Sequence, residues 1–376
     1  MEKRKISNLN IETSLLGFGC MRFPMKDGKI EEQEATKMLD LAFERGVNYF
    51  DTAYVYHDGQ SEIFTGKVLD RYPRDSYFLA TKLPVWEVHK PEDVERLLDE
   101  QLSKLNKDYI DFYLLHALNG ERWKQLEELG VYEICEEMRK KGKIKYIGFS
   151  FHDEYEAFET IIKAKDWDFC QIQLNYMDTH IQAGLKGYKL AESLGIPMVI
   201  MEPIKGGNLA ALPEEVEAIF KEKRPDDSVA SWALRWVASL PNIMTVLSGM
   251  SNMEQVEDNI KTFANFEEMD VAENDIVKKV ADTIRSRVAN GCTACRYCMP
   301  CPAGVDIPNN FRIWNQYHMY MNKGGLGWMW NNEIDEKSKA HNCIKCGACE
   351  KACPQKIAIR EDLQKLEAEI TEALEG

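Results

Sequence analysis

Between residues 14 and 263 the chain repeats one pattern: a short apolar, β-rich run, then a longer amphipathic run, with glycine or proline at most junctions. The strand-like runs are SLLGFGC (14–20), NYFDTA (48–53), YFLATKL (77–83), YIDFYLLH (109–116), IKYIGFS (144–150), FCQIQLNY (169–176), PMVIMEP (197–203) and MTVLSGM (244–250). Between them, stretches such as EEQEATKMLDLAFERG and PEDVERLLDEQLSKLN space their apolar residues three and four apart, as a helix with one buried face does. Parallel strands need such crossovers. Eight strand–helix units in about 250 residues therefore predict a (β/α)8 TIM barrel of the α/β class. A doubly wound open sheet is the alternative, but neither GxGxxG nor GxxxxGK[ST] opens any unit. KISNLNIET, just ahead of the first run, predicts a small hairpin closing the barrel bottom.

The barrel is expected over residues 1–268, followed by a linking helix at 269–290, a cysteine-rich module at 291–360 and a charged helix at 361–376. With 44% hydrophobic and 29% charged residues the chain has a globular composition, and no apolar run of about 18 residues is present to span a membrane. The opening MEKRKISNLNIETS lacks the apolar stretch of a secretory signal, so a cytoplasmic location is expected. A net charge of −15 argues against a nucleic-acid partner, which requires a positive face.

Chemistry in such a barrel sits at the C-terminal ends of the strands. The second strand ends in Asp51, with Tyr56 just beyond it, the third in Lys82 and the fourth in His116. Together they can make an acid. A free tyrosine titrates near 10; a neighbouring Lys82 ammonium is expected to lower that value, with Asp51 keeping the lysine charged. His116 can then hydrogen-bond the same substrate oxygen or relay its proton.

DTAYVY, GQSE, TKL, YLLH, GFS, QIQLN, EPIKGG and SGMSNMEQVEDN occur in the order found in aldo-keto reductases, and the chain resembles that family over residues 11–263. The resemblance implies a barrel that reduces carbonyl compounds with a nicotinamide cofactor, and a catalytic tetrad of Asp51, Tyr56, Lys82 and His116 with the tyrosine as general acid. It further implies that Ser150 and Gln171 hold the carboxamide. Asn175, on the same strand face as Gln171, is a further candidate contact. Met201 stands where the family often stacks a tyrosine on the nicotinamide, and Phe151 where it has an asparagine. Lys205, Gly206 and Gly207 are candidates for the pyrophosphate. Gly249, Ser251, Gln255 and Asn259 are candidates for the adenosine end. No lysine or arginine lies between Ser248 and Asn259, so NADH is favoured over NADPH. Trp86 and Tyr54 are candidate walls of a substrate pocket.

Eight of the eleven cysteines fall in residues 292–353. Such clustered CxxC spacing reads as metal ligation rather than as disulfides. HNCIKCGACEKACP contains CxxCxxCxxxCP, the run of bacterial ferredoxins, whose four thiolates suit an iron–sulfur cubane. The earlier run, GCTACRYCMPCP, is one residue shorter before its last cysteine. In two-cluster ferredoxins the fourth cysteine serves the other cluster. By that resemblance Cys343, Cys346, Cys349 and Cys301 hold one [4Fe-4S] cluster and Cys292, Cys295, Cys298 and Cys353 a second; two structural zinc sites are the alternative. Cys20, Cys135 and Cys170 read as core residues.

The expected function is nicotinamide-dependent reduction of a small carbonyl substrate, with an iron–sulfur electron-transfer module that could serve a redox partner protein. A ferredoxin-linked reductase fed by the clusters, or an electron-transfer or assembly subunit with a weakly active nucleotide-binding barrel, are the competing readings.

Overall fold

A computed structural model describes residues 1–375 and contains a closed, eight-stranded barrel. Its strands are β1 (Leu16–Gly19), β2 (Tyr49–Asp51), β3 (Phe78–Leu83), β4 (Ile110–Leu118), β5 (Ile144–Phe151), β6 (Phe169–Gln173), β7 (Met198–Met201) and β8 (Ile243–Gly249). Every neighbouring pair is parallel, and β8 closes on β1 through Val246 to Leu16 and Gly249 to Gly19. This is the (β/α)8 fold. The expected hairpin also forms, Lys3–Ile6 against Ile11–Ser14, and Ile6 joins the side chains inside the barrel.

Strand alternation sorts the apolar residues into two cores. Tyr49, Ala80, Phe112, Leu114, Phe169 and Val199 fill the barrel interior. Their sequence neighbours Phe50, Leu79, Tyr113, Cys170 and Met198 face the surrounding helices. Successive side chains on a strand point to opposite sides. Moving two residues toward the C-terminal end from an interior position therefore reaches Asp51, Lys82, His116, Gln171 and Met201 in turn. The candidate site is the next layer of the same interior stack.

By contacts the chain separates into two compact units, residues 1–205 with 230–271 and residues 206–229 with 272–376. In the second, helices Ile307–Tyr320, Lys323–Asn332 and Ile359–Glu375 share a core that includes Phe311, Trp314, Leu326, Trp330, Leu363 and Leu366. The last helix is amphipathic: Ile359, Leu363, Leu366, Ile370 and Ala373 are its buried face. The aromatic-rich stretch between the two cysteine runs supplies the other side of this core. Among the described residues no helix is long and apolar enough to cross a membrane.

Helix Gln60–Leu69, which opens on the last three residues of GQSE, passes helix Glu92–Leu105 so closely that a Cβ on Gly66 would lie 2.2 Å from the Leu105 carbonyl oxygen. Backbone cannot swing aside as a side chain can. Gly66→Ala is expected to lower the stability of the barrel by about 1–3 kcal/mol, the usual penalty of overpacking, as measured by chemical denaturation.

Candidate active site and cysteine centre

Lys82 Nζ donates to Asp51 Oδ1 at 2.7 Å, to the Thr52 carbonyl at 2.8 Å and to Tyr56 Oη at 3.4 Å. Asp51 and Lys82 are 2% and 1% exposed, so this ion pair has almost no water to screen it. Tyr56 sits in the loop after β2, which Gly59 and Ser61 fix by donating their N–H groups to the Tyr56 carbonyl. The Tyr56 ring meets His116 edge to face, with centroids 6.3 Å apart, and Trp86 stands 5.2 Å from the histidine on another side. The four tetrad candidates thus converge on one mouth.

Burial opposes the Lys82 charge, but Asp51 and Tyr56 outweigh it and raise the lysine pKa. Tyr56 departs from the sequence expectation. Burial pushes its hydroxyl above the ordinary tyrosine value, and the Lys82 charge offsets only part of that. The tyrosine is therefore held protonated, with a cation in place to receive the phenolate when a proton leaves. His116 is pushed down to about 2, by burial first and then by Lys82, His152 and Arg122. Burial thus favours the neutral ring at neutral pH.

The backbone is left-handed immediately after two site residues, at Ala117 (φ 52°) and Glu202 (φ 56°), neither of them glycine. Ser150 Oγ accepts the Ala117 N–H at 2.7 Å, and Asn175 Nδ2 donates to the Glu202 carbonyl at 3.1 Å. Both polar residues thus hold strained strand ends in place. Asn175 is wholly buried; its Nδ2 also donates to Asp178 Oδ2 and its Oδ1 accepts the N–H groups of Met177 and Asp178, so it shapes the loop and has no free amide to present. Gln171 differs: its Nε2 contacts Met201 Sδ at 3.4 Å, while its buried Oε1 has no partner among the described residues. A buried acceptor without a donor is costly, and a carboxamide N–H would satisfy it. The residues present therefore fit a nicotinamide.

Lys205 is less available than its sequence position implies, because Nζ is clamped by both oxygens of buried Asp178, at 2.7 and 2.6 Å. Gly206 and Gly207 adopt φ of 61° and 97°, conformations that suit glycine. Beyond β8, Asn252 caps helix Met253–Ala264, Gln255 Oε1 accepts the Ser251 N–H, and Asn259 binds Ser248 Oγ. Tyr54 turns away from the mouth, its hydroxyl on Glu100 and its ring under Lys104. Sequence reasoning missed Glu62, fully buried and bonded to Thr81 and Gln101 directly behind Lys82, although GQSE carries it. It also missed Arg122, which donates to the Ala117 carbonyl and faces the Trp86 ring; nothing in its local sequence marks it.

The cysteines gather into two sets. Cys292, Cys295, Cys298 and Cys353 line one hollow with Ile307 and Phe311; Cys301, Cys343, Cys346 and Cys349 line another with Ile344 and Leu363. The two runs share a backbone pattern. Ala294 and Lys345, each two residues past the first cysteine, have φ of 55° and 57°; Arg296 and Gly347, two further on, have 62° and 75°. The Ala294 and Lys345 amides donate to the Cys292 and Cys343 sulfurs. The Cys301 carbonyl accepts the Gly304 N–H and the Cys353 carbonyl the Lys356 N–H. The one-residue shortening before Cys301 disturbs none of these equivalences. Among the described residues no three His, Cys, Asp or Glu side chains converge where a single ion would sit. Four thiols around an apolar-walled hollow, with amides aimed at sulfur, suit an iron–sulfur cluster. Cys20, Cys135 and Cys170 are buried.

A parallel barrel with an ion-paired lysine, a tyrosine and a neutral histidine at its mouth defines a barrel oxidoreductase. Comparison with known proteins narrows this. The model of the aldo/keto reductase family matches residues 15–281, and that of the 4Fe-4S dicluster domain residues 291–358. The oxidoreductase YqkF of Bacillus subtilis is 27% identical over 292 residues, covering 69% of this chain and 90% of the relative. The NADH-specific methylglyoxal reductase of Escherichia coli is 22% identical, covering 69% and 93%. The holo form of aldo-keto reductase AKR11C1 from Bacillus halodurans superposes with a TM-score of 0.63 at 24% identity, over 74% of this chain and 96% of that one. An aldo-keto reductase of Klebsiella pneumoniae in complex with NADPH gives 0.61 at 19%, over 75% and 96%. The chain belongs to the aldo/keto reductase family, as an NAD(P)H-dependent oxidoreductase that carries a C-terminal 4Fe-4S domain.

Because the folded pKa of His116 lies far below its unfolded value of about 6.5, the unfolded chain binds the extra proton between these two values. Its contribution to stability is complete above pH 6.5 and is lost as pH falls toward 2. His116→Gln is expected to flatten the decline of unfolding free energy between pH 6.5 and 4, measured by denaturant titration at each pH.

Proposed function

We propose that the barrel reduces a small carbonyl compound with NADH or NADPH, Tyr56 giving the proton to the carbonyl oxygen. The observation that carries this is Lys82 Nζ bridging Asp51 and Tyr56 in a buried mouth, beside His116, whose ring burial holds toward the neutral form. When bound, the nicotinamide supplies a hydride and the clusters supply single electrons. The chain's own residues do the rest. Tyr56 holds its proton until charge develops on the substrate oxygen, and Lys82, fixed by Asp51, then stabilises the phenolate. Neutral His116 orients the carbonyl through a hydrogen bond, and Trp86 beside it walls the substrate. Gln171 Oε1 and the Ser150 hydroxyl hold the carboxamide. NADH is the expected preference, since residues 248–259 carry no cation.

Two [4Fe-4S] clusters are proposed in the cysteine centre, with Cys353 and Cys301 exchanged between the two runs, in keeping with the hollows they line. The centre faces a redox partner protein. Cys295 and Cys346 are exposed, as are Tyr297 at 70% and Ile344 at 66%, with Lys345 and Lys356 close by in sequence. Such thiol-dependent clusters belong in a reducing compartment, here the cytoplasm.

With methylglyoxal as probe, Tyr56→Phe is expected to lower kcat about 10²- to 10⁴-fold while leaving the dissociation constant of NADH unchanged; turnover that survives the substitution contradicts the assignment. Anaerobically purified protein is expected to hold about eight iron and about eight sulfide per chain. A zinc-loaded, colourless protein overturns the cluster proposal.

A further inference from the structure

We propose that Arg22 binds the diphosphate of the dinucleotide. Arg22 follows β1 in a turn pinned on both sides. The Cys20 N–H is held by the Asp51 carbonyl at 2.8 Å, and buried Phe23 packs edge-on against Phe64 at 5.0 Å and against His57 at 5.6 Å. The side chain between these anchors is exposed and lies across the end of the last strand: a Cβ built on Gly249 would fall 2.6 Å from Arg22 Cγ and 3.2 Å from its Cβ. Glycine at 249 is what lets the arginine stem pass. The guanidinium is also near enough to His57, beside Tyr56, for its charge to help lower that histidine's pKa, after the larger effect of burial. Arg22 is thus bracketed by the loops after β8 and β2.

Other cations of the mouth are committed, Lys82 to Asp51, Lys205 to Asp178 and Arg122 to the Ala117 carbonyl. Among the described residues no hydrogen-bond or ion-pair partner reaches Arg22. Its neighbourhood favours phosphate in particular. Gly249 leads within four residues into helix Met253–Ala264, whose N-terminal amides carry partial positive charge. The loops after the last two strands of such barrels are frequent phosphate sites. A guanidinium adds paired donors to those amides. Arg22 reaches the loop after β8 from the opposite end of the barrel sequence, because β1 and β8 are neighbours.

The inference rests on the barrel binding a nicotinamide dinucleotide. Its test is the dissociation constant of NADH and of ADP-ribose, which keeps the diphosphate but lacks the nicotinamide, by calorimetry on wild type, Arg22→Gln and Arg22→Lys. Arg22→Gln is expected to weaken both ligands by roughly tenfold or more, with Arg22→Lys between it and wild type and thermal unfolding unchanged. Wild-type affinity for both in Arg22→Gln, above all with a raised KM for a 2-oxo acid, would assign Arg22 to a substrate carboxylate and overturn the proposal. Failure of wild type to bind either nucleotide would instead remove the dinucleotide reading itself, and this inference with it.

Discussion

The buried pair of Lys82 and Asp51 is the interaction around which the barrel mouth is arranged. A lysine amine removed from water loses several kcal/mol of hydration, and here the loss is offset by one carboxylate oxygen and one carbonyl oxygen at hydrogen-bond distance. The pair leaves a directed positive charge facing Tyr56. Its geometry follows from strand alternation, since β2 and β3 are neighbours and each contributes the inward residue next above Tyr49 and Ala80. Ser150 and Asn175 then hold the left-handed turns after His116 and Met201, so the strand ends stay fixed around the pair.

The strands, their order and the meeting of Asp51, Tyr56, Lys82 and His116 at one mouth were legible because each rests on a short-range rule. Alternation fixes which side of a strand a residue faces, and strand ends mark the mouth. What was not legible depended on partners distant in sequence. Nothing local to Lys205 announces that Asp178 neutralises it. Asn175 has the right face for a cofactor contact, but its loop consumes every hydrogen bond it can make. Tyr54 reads as a pocket wall until helix Glu92–Leu105 brings Glu100 and Lys104 to it. Lysine proximity suggested a lowered tyrosine pKa; only the depth of burial reverses the direction. The grouping of residues 206–229 with the C-terminal unit is likewise a matter of tertiary contact.

The cysteine centre is legible for a different reason. Ligand spacing is itself the constraint, and the repeated left-handed residues after each run show two copies of one loop design. The chain ahead of the second run and the final helix, plain as sequence, prove to be the apolar floor under both hollows, through Ile307, Phe311 and Leu363.

In the proposed reaction the barrel passes a hydride directly to carbon while Tyr56 supplies the proton. Anaerobic reaction of the purified protein with methylglyoxal and NADH deuterated at C4 tests it, by locating the label in the alcohol product. Deuterium is expected on the carbinol carbon, in wild type and in whatever residual product Tyr56→Phe yields. Product without label, formed as the iron–sulfur absorption bleaches, would mean that electrons reach the substrate singly through the cysteine module, and would contradict it.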